Sequence, residues 1–358
     1  MLIHKKWRRK MKAFEEMKVF EEMKFKNLTI KNRIVRSATH SHLGNLDGTI
    51  SDEELDMFEE LASNDIGLII AGQFFVSQKG IVRPGSNELA EDYQIERASK
   101  IISRVRPYGT KVITQLNHAG AKAYLEDNKV GPSVIELEEG KQAREMSVNE
   151  IESVIEDFID AAYRAKLSGM DGVEIHCAHD YLLCEFLTPS FNKRTDKYGE
   201  TYEGRFLIVK KIIQGIKNKC GADYPVFVKV NSNAAEENEQ YTSDLKKMIP
   251  EFKRLGVEAV EFSGSNFIHM KYSDHNYFVE SAMNIKGNTD IPVIVVGGIR
   301  NFEDMEAALD AGVDMISISR PLISEPDLIT RLKNGQEKAR CASCNKCFMV
   351  GKKRCVLN

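Results

Sequence analysis

Short apolar runs alternate along the chain with segments whose apolar residues recur every three or four positions. Eight runs have the length and aliphatic composition of buried strands, and they span residues 34–37, 67–71, 111–115, 172–175, 226–230, 259–263, 293–296 and 315–319. The segments at residues 147–167, 202–219, 243–255 and 301–311 have the periodicity of amphipathic helices. Helix limits are also marked, because Ser147 and Glu150 have capping-box spacing and Gly169, Gly256 and Gly312 each follow a helical segment.

This alternation predicts a single (β/α)8 TIM barrel over residues 23–338. The strands are almost continuously apolar, as expected where helices cover a parallel sheet, and no linker rich in Pro, Gly or Ser divides the chain. A doubly wound sheet is the alternative, but the count of eight and the lack of a GxGxxG motif after the first strand favour the barrel. We expect residues 1–22 to form a peripheral N-terminal extension and residues 339–358 a Cys-rich C-terminal tail.

Composition and charge argue against several classes of protein. The chain has 358 residues, of which 42% are hydrophobic, so it can bury a large core. A formal net charge of −3 gives no indication of nucleic-acid or membrane-surface binding, and no apolar run approaches the ~20 residues needed to cross a bilayer. The basic start lacks the apolar segment of a secretory signal. We therefore expect a cytoplasmic protein whose seven cysteines form no disulfide framework.

Polar residues follow the predicted strands where each strand would end. His176, His179 and Tyr181 follow the fourth strand, and imidazole and phenol groups together can bind an oxygen and deliver a proton. A Gly297-Gly298 pair follows the seventh strand and Arg320 follows the eighth, which is where barrels often bind a phosphate. Each residue alone is more often structural, but together they predict an active site at the carboxyl face of the barrel.

The motifs in this order resemble the Old Yellow Enzyme family of NADH:flavin oxidoreductases and ene reductases. The resemblance covers about residues 25–325, and its motifs lie at residues 32–35, 115–120, 174–182, 186–189, 192–199, 296–299 and 319–321. It implies an FMN cofactor, NAD(P)H as the electron donor and an enone or related small molecule as the substrate.

The resemblance also assigns roles to individual positions. The implied FMN-binding residues are Ala38 and Thr39 behind the ring, Gln115 at the pyrimidine edge, Lys229 near N1, and Gly297, Gly298, Ser319 and Arg320 at the phosphate. His176 and His179 match the pair that binds the substrate carbonyl oxygen, and Tyr181 matches the residue that protonates the alkene carbon.

Three single positions and one short segment depart from the family pattern. His40 stands where Cys or Thr is usual, and Asp180 and Ser319 stand where Gly is usual. The segment at residues 202–205 reads Tyr-Glu-Gly-Arg in place of a Leu-Glu-Asn-Arg type motif. We expect His40 to affect the redox potential and the other changes to be structural.

Four cysteines crowd the C-terminal tail, at Cys341, Cys344, Cys347 and Cys355. Such spacing fits zinc or a [4Fe–4S] cluster, the group that larger relatives of the family hold near this point. The spacing here is shorter than in those relatives, so we do not favour a bound metal and assign no metal ligand.

Three functions are compatible with these observations. The leading hypothesis is an FMN-dependent enzyme that uses NAD(P)H to reduce the C=C bond of α,β-unsaturated carbonyl compounds. A lyase that forms a Schiff base at Lys229 is the second, and a flavin or metal electron carrier is the third. The partner of the leading hypothesis is a small molecule, not nucleic acid or a membrane. The sequence is compatible with a homo-oligomer, and it leaves open the physiological alkene and the choice between NADH and NADPH.

Overall fold

The fold is a closed barrel of eight parallel strands that follow one another in chain order. The structure is a computed structural model, and it describes Phe14 and residues 16–232, 239–348 and 355–356. The barrel strands are β1 (Ile34–Arg36), β2 (Leu68–Phe75), β3 (Lys111–Asn117), β4 (Gly172–Cys177), β5 (Val226–Asn231), β6 (Ala259–Ser263), β7 (Val293–Val296) and β8 (Met315–Ile318). The barrel prediction is therefore confirmed, and the doubly wound alternative is wrong because β8 pairs with β1 and closes the sheet.

Helices surround the barrel. They are α1 (Asp52–Ser63), α2 (Gln94–Val105), α3 (Val148–Leu167), α4 (Leu182–Leu187), α5 (Tyr202–Cys220), α6 (Glu239–Arg254), α7 (Val279–Lys286), α8 (Phe302–Asp310), α9 (Arg320–Ser324) and α10 (Leu328–Lys333). Both halves of the predicted capping box are present, since Ser147 and Glu150 each accept the backbone N–H of the other. Among the residues that the structure describes, no helix is both long enough and apolar enough to span a membrane.

The amino ends of the strands are sealed by an apolar layer. A hairpin formed by Met23–Lys24 and Thr29–Ile30 crosses this end, and its buried Phe25 ring lies 5.2 Å from that of Phe227 on β5. The carboxyl ends of the strands carry the polar side chains. Apolar burial thus stabilises one end of the barrel, while the other end is open for chemistry.

The packed structure begins before the predicted boundary at residue 22. Val19 is fully buried, and its N–H donates to Glu306 Oε1 on α8 over 2.9 Å. The Phe20 and Phe302 rings pack edge to face with centroids 5.5 Å apart. Burial of Val19 and Phe20 against α8 holds this short segment on the barrel. Residues 1–13 and 15 of the predicted extension lie outside the described residues.

Candidate active site

A cavity of about 500 Å³ opens at the carboxyl ends of the barrel strands. This volume is within the usual range for a small-molecule or cofactor site. Every site residue predicted from the sequence lines it, namely Ala38, Thr39, Gln115, His176, His179, Tyr181, Lys229, Gly297, Gly298, Ser319 and Arg320. The (β/α)8 topology brings these distant positions together because parallel strands end at one face.

The two histidines and the tyrosine form one cluster. The His176 ring centroid lies 5.1 Å from that of His179 and 5.2 Å from that of Tyr181. His176 is buried at the end of β4, and its Nδ1 has no hydrogen-bond partner within the described ranges. Burial and then the nearby charges of His179 and Lys229 hold the pKa of His176 well below its usual value. His176 therefore lines the cavity as a neutral imidazole.

A left-handed turn aims His179 and Tyr181 into the cavity. His179 and Asp180 have φ values of 59° and 54°, a region that favours glycine but that Asp tolerates better than most residues. Asp180 Oδ1 accepts a hydrogen bond from Ser265 Oγ over 3.2 Å. His179 Nε2 lies 2.9 Å from Ser263 Oγ. The departure from Gly at position 180 is thus accommodated without loss of the turn.

Gln73 is a neighbour of Tyr181 that sequence reasoning missed. Its Nε2 donates to the Tyr181 hydroxyl over 3.0 Å, and its Oε1 accepts from Asn117 Nδ2 over 2.6 Å. Burial raises the pKa of Tyr181, and the bond from Gln73 opposes that rise. The phenol therefore stays protonated at neutral pH and can serve as an acid.

A charged layer lies inside the barrel beneath this cluster. Lys229 Nζ lies 3.0 Å from Glu261 Oε2 and donates to Ser37 Oγ over 2.9 Å. Gln115 Nε2 donates to Glu174 Oε2 over 2.6 Å. Burial and the charge of Glu261 raise the pKa of Glu174 well above its usual value. Burial disfavours ionisation of Glu261 as well, but Lys229 and the hydrogen bonds from Glu174 and Ser317 hold its pKa below the usual value.

The ionisation of this layer follows from those directions. Lys229 and Glu261 form a compensated ion pair, while Glu174 is a neutral acid. The two glutamates were not predicted from the sequence. A signal was present, because each stands alone as a charge within an apolar strand, where its side chain must point into the barrel or be unsatisfied.

The predicted phosphate end of the cavity carries two arginines. Arg320 Nη1 donates to Asn345 Oδ1 over 2.6 Å and its Nη2 donates to the Tyr277 hydroxyl over 3.0 Å. Arg300, which sequence reasoning missed, is buried and donates to the Asp274 carbonyl over 2.9 Å and to Ser343 Oγ over 2.8 Å. In the part of the chain that the structure describes, neither guanidinium is paired with a carboxylate.

The glycine pair fits closely between neighbouring side chains and backbone. Gly297 and Gly298 have φ values of 141° and 74°. A Cβ on Gly298 would lie 2.7 Å from the Asn276 nitrogen, and one on Gly297 would lie 2.5 Å from Tyr277 Cε2. Exposed backbone and two uncompensated cations are the donor set that a phosphate requires, so the residues present fit the phosphate of FMN.

The remaining departures fall in two places. His40 and Ser319 line the cavity, where Thr39 Oγ1 lies 2.9 Å from Ser319 Oγ. The His40 ring centroid lies 4.5 Å from that of His42. Arg205, in the altered 202–205 segment, forms a buried ion pair with Asp244 on α6 and does not line the cavity. Its role in the structure is to join α5 to α6.

The described part of the tail lies beside the cavity. Ser343 and Phe348 contribute to its lining, and the Phe348 ring centroid is 5.7 Å from that of Phe267. Within the part of the chain that the structure describes, Cys341, Cys344, Cys347 and Cys355 form no disulfide bond. Among the described residues, no three or more His, Cys, Asp or Glu side chains are grouped so as to hold a metal ion.

Comparison with known proteins identifies the family. Residues 18–339 match the NADH:flavin oxidoreductase / NADH oxidase family. An NADH oxidase of Thermoanaerobacter brockii is 31% identical over 357 residues, a match that covers 93% of this chain and 54% of that protein. An NADPH dehydrogenase of Bacillus subtilis (strain 168) is 32% identical over 308 residues, covering 84% of this chain and 90% of that protein. The chain therefore spans about half of the first relative and most of the second.

Solved structures share the fold. A 2-naphthoyl-CoA reductase complex superposes with a TM-score of 0.86 at 22% identity, covering 95% of this chain and 57% of that one. The Old Yellow Enzyme from Pichia sp. AKU4542 superposes with a TM-score of 0.78 at 24% identity, covering 92% of this chain and 91% of that one. These matches confirm the resemblance found in the sequence, and the chain belongs to the NADH:flavin oxidoreductase / NADH oxidase family of oxidoreductases.

Proposed function

We propose that this chain is an FMN-dependent oxidoreductase that uses NAD(P)H to reduce the C=C bond of α,β-unsaturated carbonyl compounds. The observation that carries the proposal is the convergence of His176, His179 and Tyr181 on the cavity that Arg300 and Arg320 line at its other end. One cavity thus offers both an anion site and a cluster able to bind an oxygen and donate a proton.

Five groups would hold FMN. Arg320, Arg300 and the backbone at Gly298 would bind its phosphate, and Gln115 would meet its pyrimidine edge. Lys229 would supply a fixed positive charge near the ring, because Glu261 keeps its ammonium in place at 3.0 Å. When bound, FMN would take a hydride from NAD(P)H and deliver a hydride to the β-carbon of the substrate.

The chain's own side chains would bind and protonate the substrate. The His176 and His179 rings, which both line the cavity, would contact the carbonyl oxygen and polarise the conjugated C=C bond. A neutral imidazole can do this by donating an N–H without the cost of a buried charge. Tyr181, which burial keeps protonated, would donate the proton that completes the addition.

The two other hypotheses are less well supported. A Schiff-base lyase needs the Lys229 nitrogen as a nucleophile, but that nitrogen is held by Glu261 and Ser37 and is buried. It also leaves His176 and His179, which both line the cavity, without a role. The electron-carrier hypothesis rests on the cysteine tail and gives no role to His176, His179 and Tyr181, which converge on the cavity.

Spectroscopy and turnover of the purified protein test the proposal. We expect flavin absorption bands, bleaching by NADH or NADPH without oxygen, and reoxidation by 2-cyclohexen-1-one with a saturated ketone as the product. Colourless protein that yields a borohydride-trapped adduct on Lys229 would support the lyase instead. We place the reaction in the cytoplasm, with a small molecule as the partner.

A further inference from the structure

A β-bulge points Gln73 into the cavity. The pairing of β2 with β3 is regular from Leu68 to Ala71, then shifts before Phe74. Strict alternation along β2 would place the Gln73 side chain on the same face of the sheet as that of Ala71. The Ala71 side chain packs in the outer core between the strands and the helices. The extra residue of a bulge moves the following side chain to the opposite face of the sheet, and bulges are common beside active sites. The Gln73 side chain lines the cavity as a result, although only 7% of the residue is exposed.

The hydrogen bonds of Gln73 have a defined direction. Asn117 Nδ2 donates to Gln73 Oε1 over 2.6 Å, so the carbonyl oxygen of the Gln73 amide is already engaged. Its Nε2 then donates to the Tyr181 hydroxyl over 3.0 Å. A phenol oxygen that accepts from an amide directs its own O–H elsewhere. Tyr181 and His176, whose ring centroids lie 5.2 Å apart, both line the cavity, so the O–H can be directed into it.

We propose that Gln73 is a positioning residue that keeps the Tyr181 proton directed at the substrate, and this inference rests on the proposed function. Asn117 fixes the Gln73 amide, the amide donates to Tyr181, and the phenol can then act only as a donor towards the cavity. The arrangement prepares Tyr181 to release its proton to the substrate carbon, after which Gln73 Nε2 stabilises the resulting phenolate oxygen.

Two substitutions separate this role from simple packing. Gln73→Glu puts an acceptor where the amide donates, so the Tyr181 proton should turn away from the substrate. Gln73→Leu removes the bond without adding an acceptor. In the flavin-loaded protein, Gln73→Glu should slow reoxidation by 2-cyclohexen-1-one as severely as Tyr181→Phe does, roughly 10²–10⁴-fold. Gln73→Leu should slow it roughly two- to tenfold, the effect of one net hydrogen bond.

Half-reactions and a double variant supply the readouts. Stopped-flow reduction of the flavin by NAD(P)H should be unchanged in both Gln73 variants. Gln73→Leu combined with Tyr181→Phe should be no slower than Tyr181→Phe alone. If Gln73 acts only through the Tyr181 hydroxyl, the effects of the two substitutions are not additive. Gln94→Glu is the matched control, since Gln94 is also buried, on α2, but does not line the cavity.

Several results would overturn the inference. Reversed amides, with Tyr181 donating to Gln73, would make Gln73→Glu harmless and Gln73→Leu faster with the enone. Equal slowing of both half-reactions, or an additive double variant, would mean that Gln73 only packs. If Tyr181→Phe slows the enone reaction and neither Gln73 variant does, this inference fails while the proposed function stands. If Tyr181→Phe itself has no effect, Tyr181 is not the acid and this inference fails, whereas the proposed function fails only if the unmutated flavoprotein does not reduce the enone.

Discussion

The side-chain amide of Gln115 donates a hydrogen bond of 2.6 Å to the buried carboxyl group of Glu174 on the neighbouring strand. Because burial and the charge of Glu261 keep Glu174 neutral, this bond orients the amide without adding a second negative charge to the layer. The remaining amide atoms of Gln115 are then free to face the cavity.

Replacing Glu174 should loosen the cofactor. Glu174→Leu leaves an amide proton of Gln115 without an acceptor, at a cost of about 1–3 kcal/mol, and should weaken FMN retention by roughly tenfold. Glu174→Gln preserves the neutral state and the acceptor, so its effect should be much smaller. Flavin release, followed by fluorescence during dialysis, distinguishes the two. Equal retention in both variants would show that Gln115 does not depend on Glu174.

Lys229→Met should damage both stability and flavin reduction. The change leaves Glu261 unpaired inside the barrel, which costs about 3–5 kcal/mol for a buried pair, and it removes the counter-charge for the electrons that the cofactor takes up. The double change Lys229→Met with Glu261→Gln removes both charges. We expect it to restore most of the unfolding free energy in urea but not the rate of reduction by NAD(P)H. A normal rate in the double variant would contradict the role given to Lys229.

His176→Ala should weaken the binding of phenols, whose oxygen mimics the substrate carbonyl oxygen. Loss of a hydrogen bond to a charged oxygen should raise the Kd roughly tenfold or more. A charge-transfer band of the phenol with the flavin measures this binding. Ser263→Ala, which frees His179 Nε2 from its 2.9 Å contact, should give a smaller loss. If the unmutated protein shows no such band with any phenol, the geometry proposed for the two histidines is wrong.

Glu185 should make the fold less stable as the pH rises. Burial raises the pKa of this residue to about 8, although the hydrogen bond from the Ala121 N–H opposes the rise. A raised pKa in the folded state means that its contribution is complete below about pH 4.5 and is lost as the pH approaches 8. The loss is on the order of a few kcal/mol. Glu185→Gln should therefore flatten the decline in unfolding free energy between pH 5 and 8.5, as measured in urea.

An exposed acid provides the comparison for that experiment. Glu138→Gln removes a carboxylate that water already solvates, so its stability profile should follow that of the unmutated protein. Identical slopes for the Glu185 and Glu138 variants would indicate that Glu185 ionises normally in the fold. Other groups that titrate in this range are common to all three proteins and cancel in the differences.

Local patterns were enough to predict the barrel. Strand and helix periods, the capping box at Ser147 and the glycines after helices depend on neighbours in sequence, and the structure contains each of them. The cavity residues were found because the carboxyl ends of parallel strands meet at one face. The bulge at Gln73 could not be found in this way, since it arises from how β2 pairs with β3 and reverses the side that alternation gives.

Contacts between segments that are far apart in the chain also could not be predicted from the sequence. Asn345 and Ser343 bind Arg320 and Arg300 only because the tail folds back across the end of the cavity. Glu174 and Glu261 differ, because a single charge in an apolar strand already requires a buried partner. The position of that partner, Lys229 on the strand between them, depends on the barrel closing in chain order.

Tyr181→Phe should separate hydride transfer from protonation. The phenol lies on the turn after β4 with its ring 5.2 Å from His176, and removing its hydroxyl leaves Lys229, the histidines and the arginines in place. Reduction of the flavin by NAD(P)H should stay near normal, whereas reoxidation by an unactivated enone should fall by roughly 10²–10⁴-fold for loss of the general acid. A nitroalkene forms a stable anion when it accepts hydride, so its hydride step should change much less. Stopped-flow measurement of the two half-reactions decides the matter. Equal loss in both, or no loss with enones, would make Tyr181 a packing residue and assign the proton to another acid such as His42 or water.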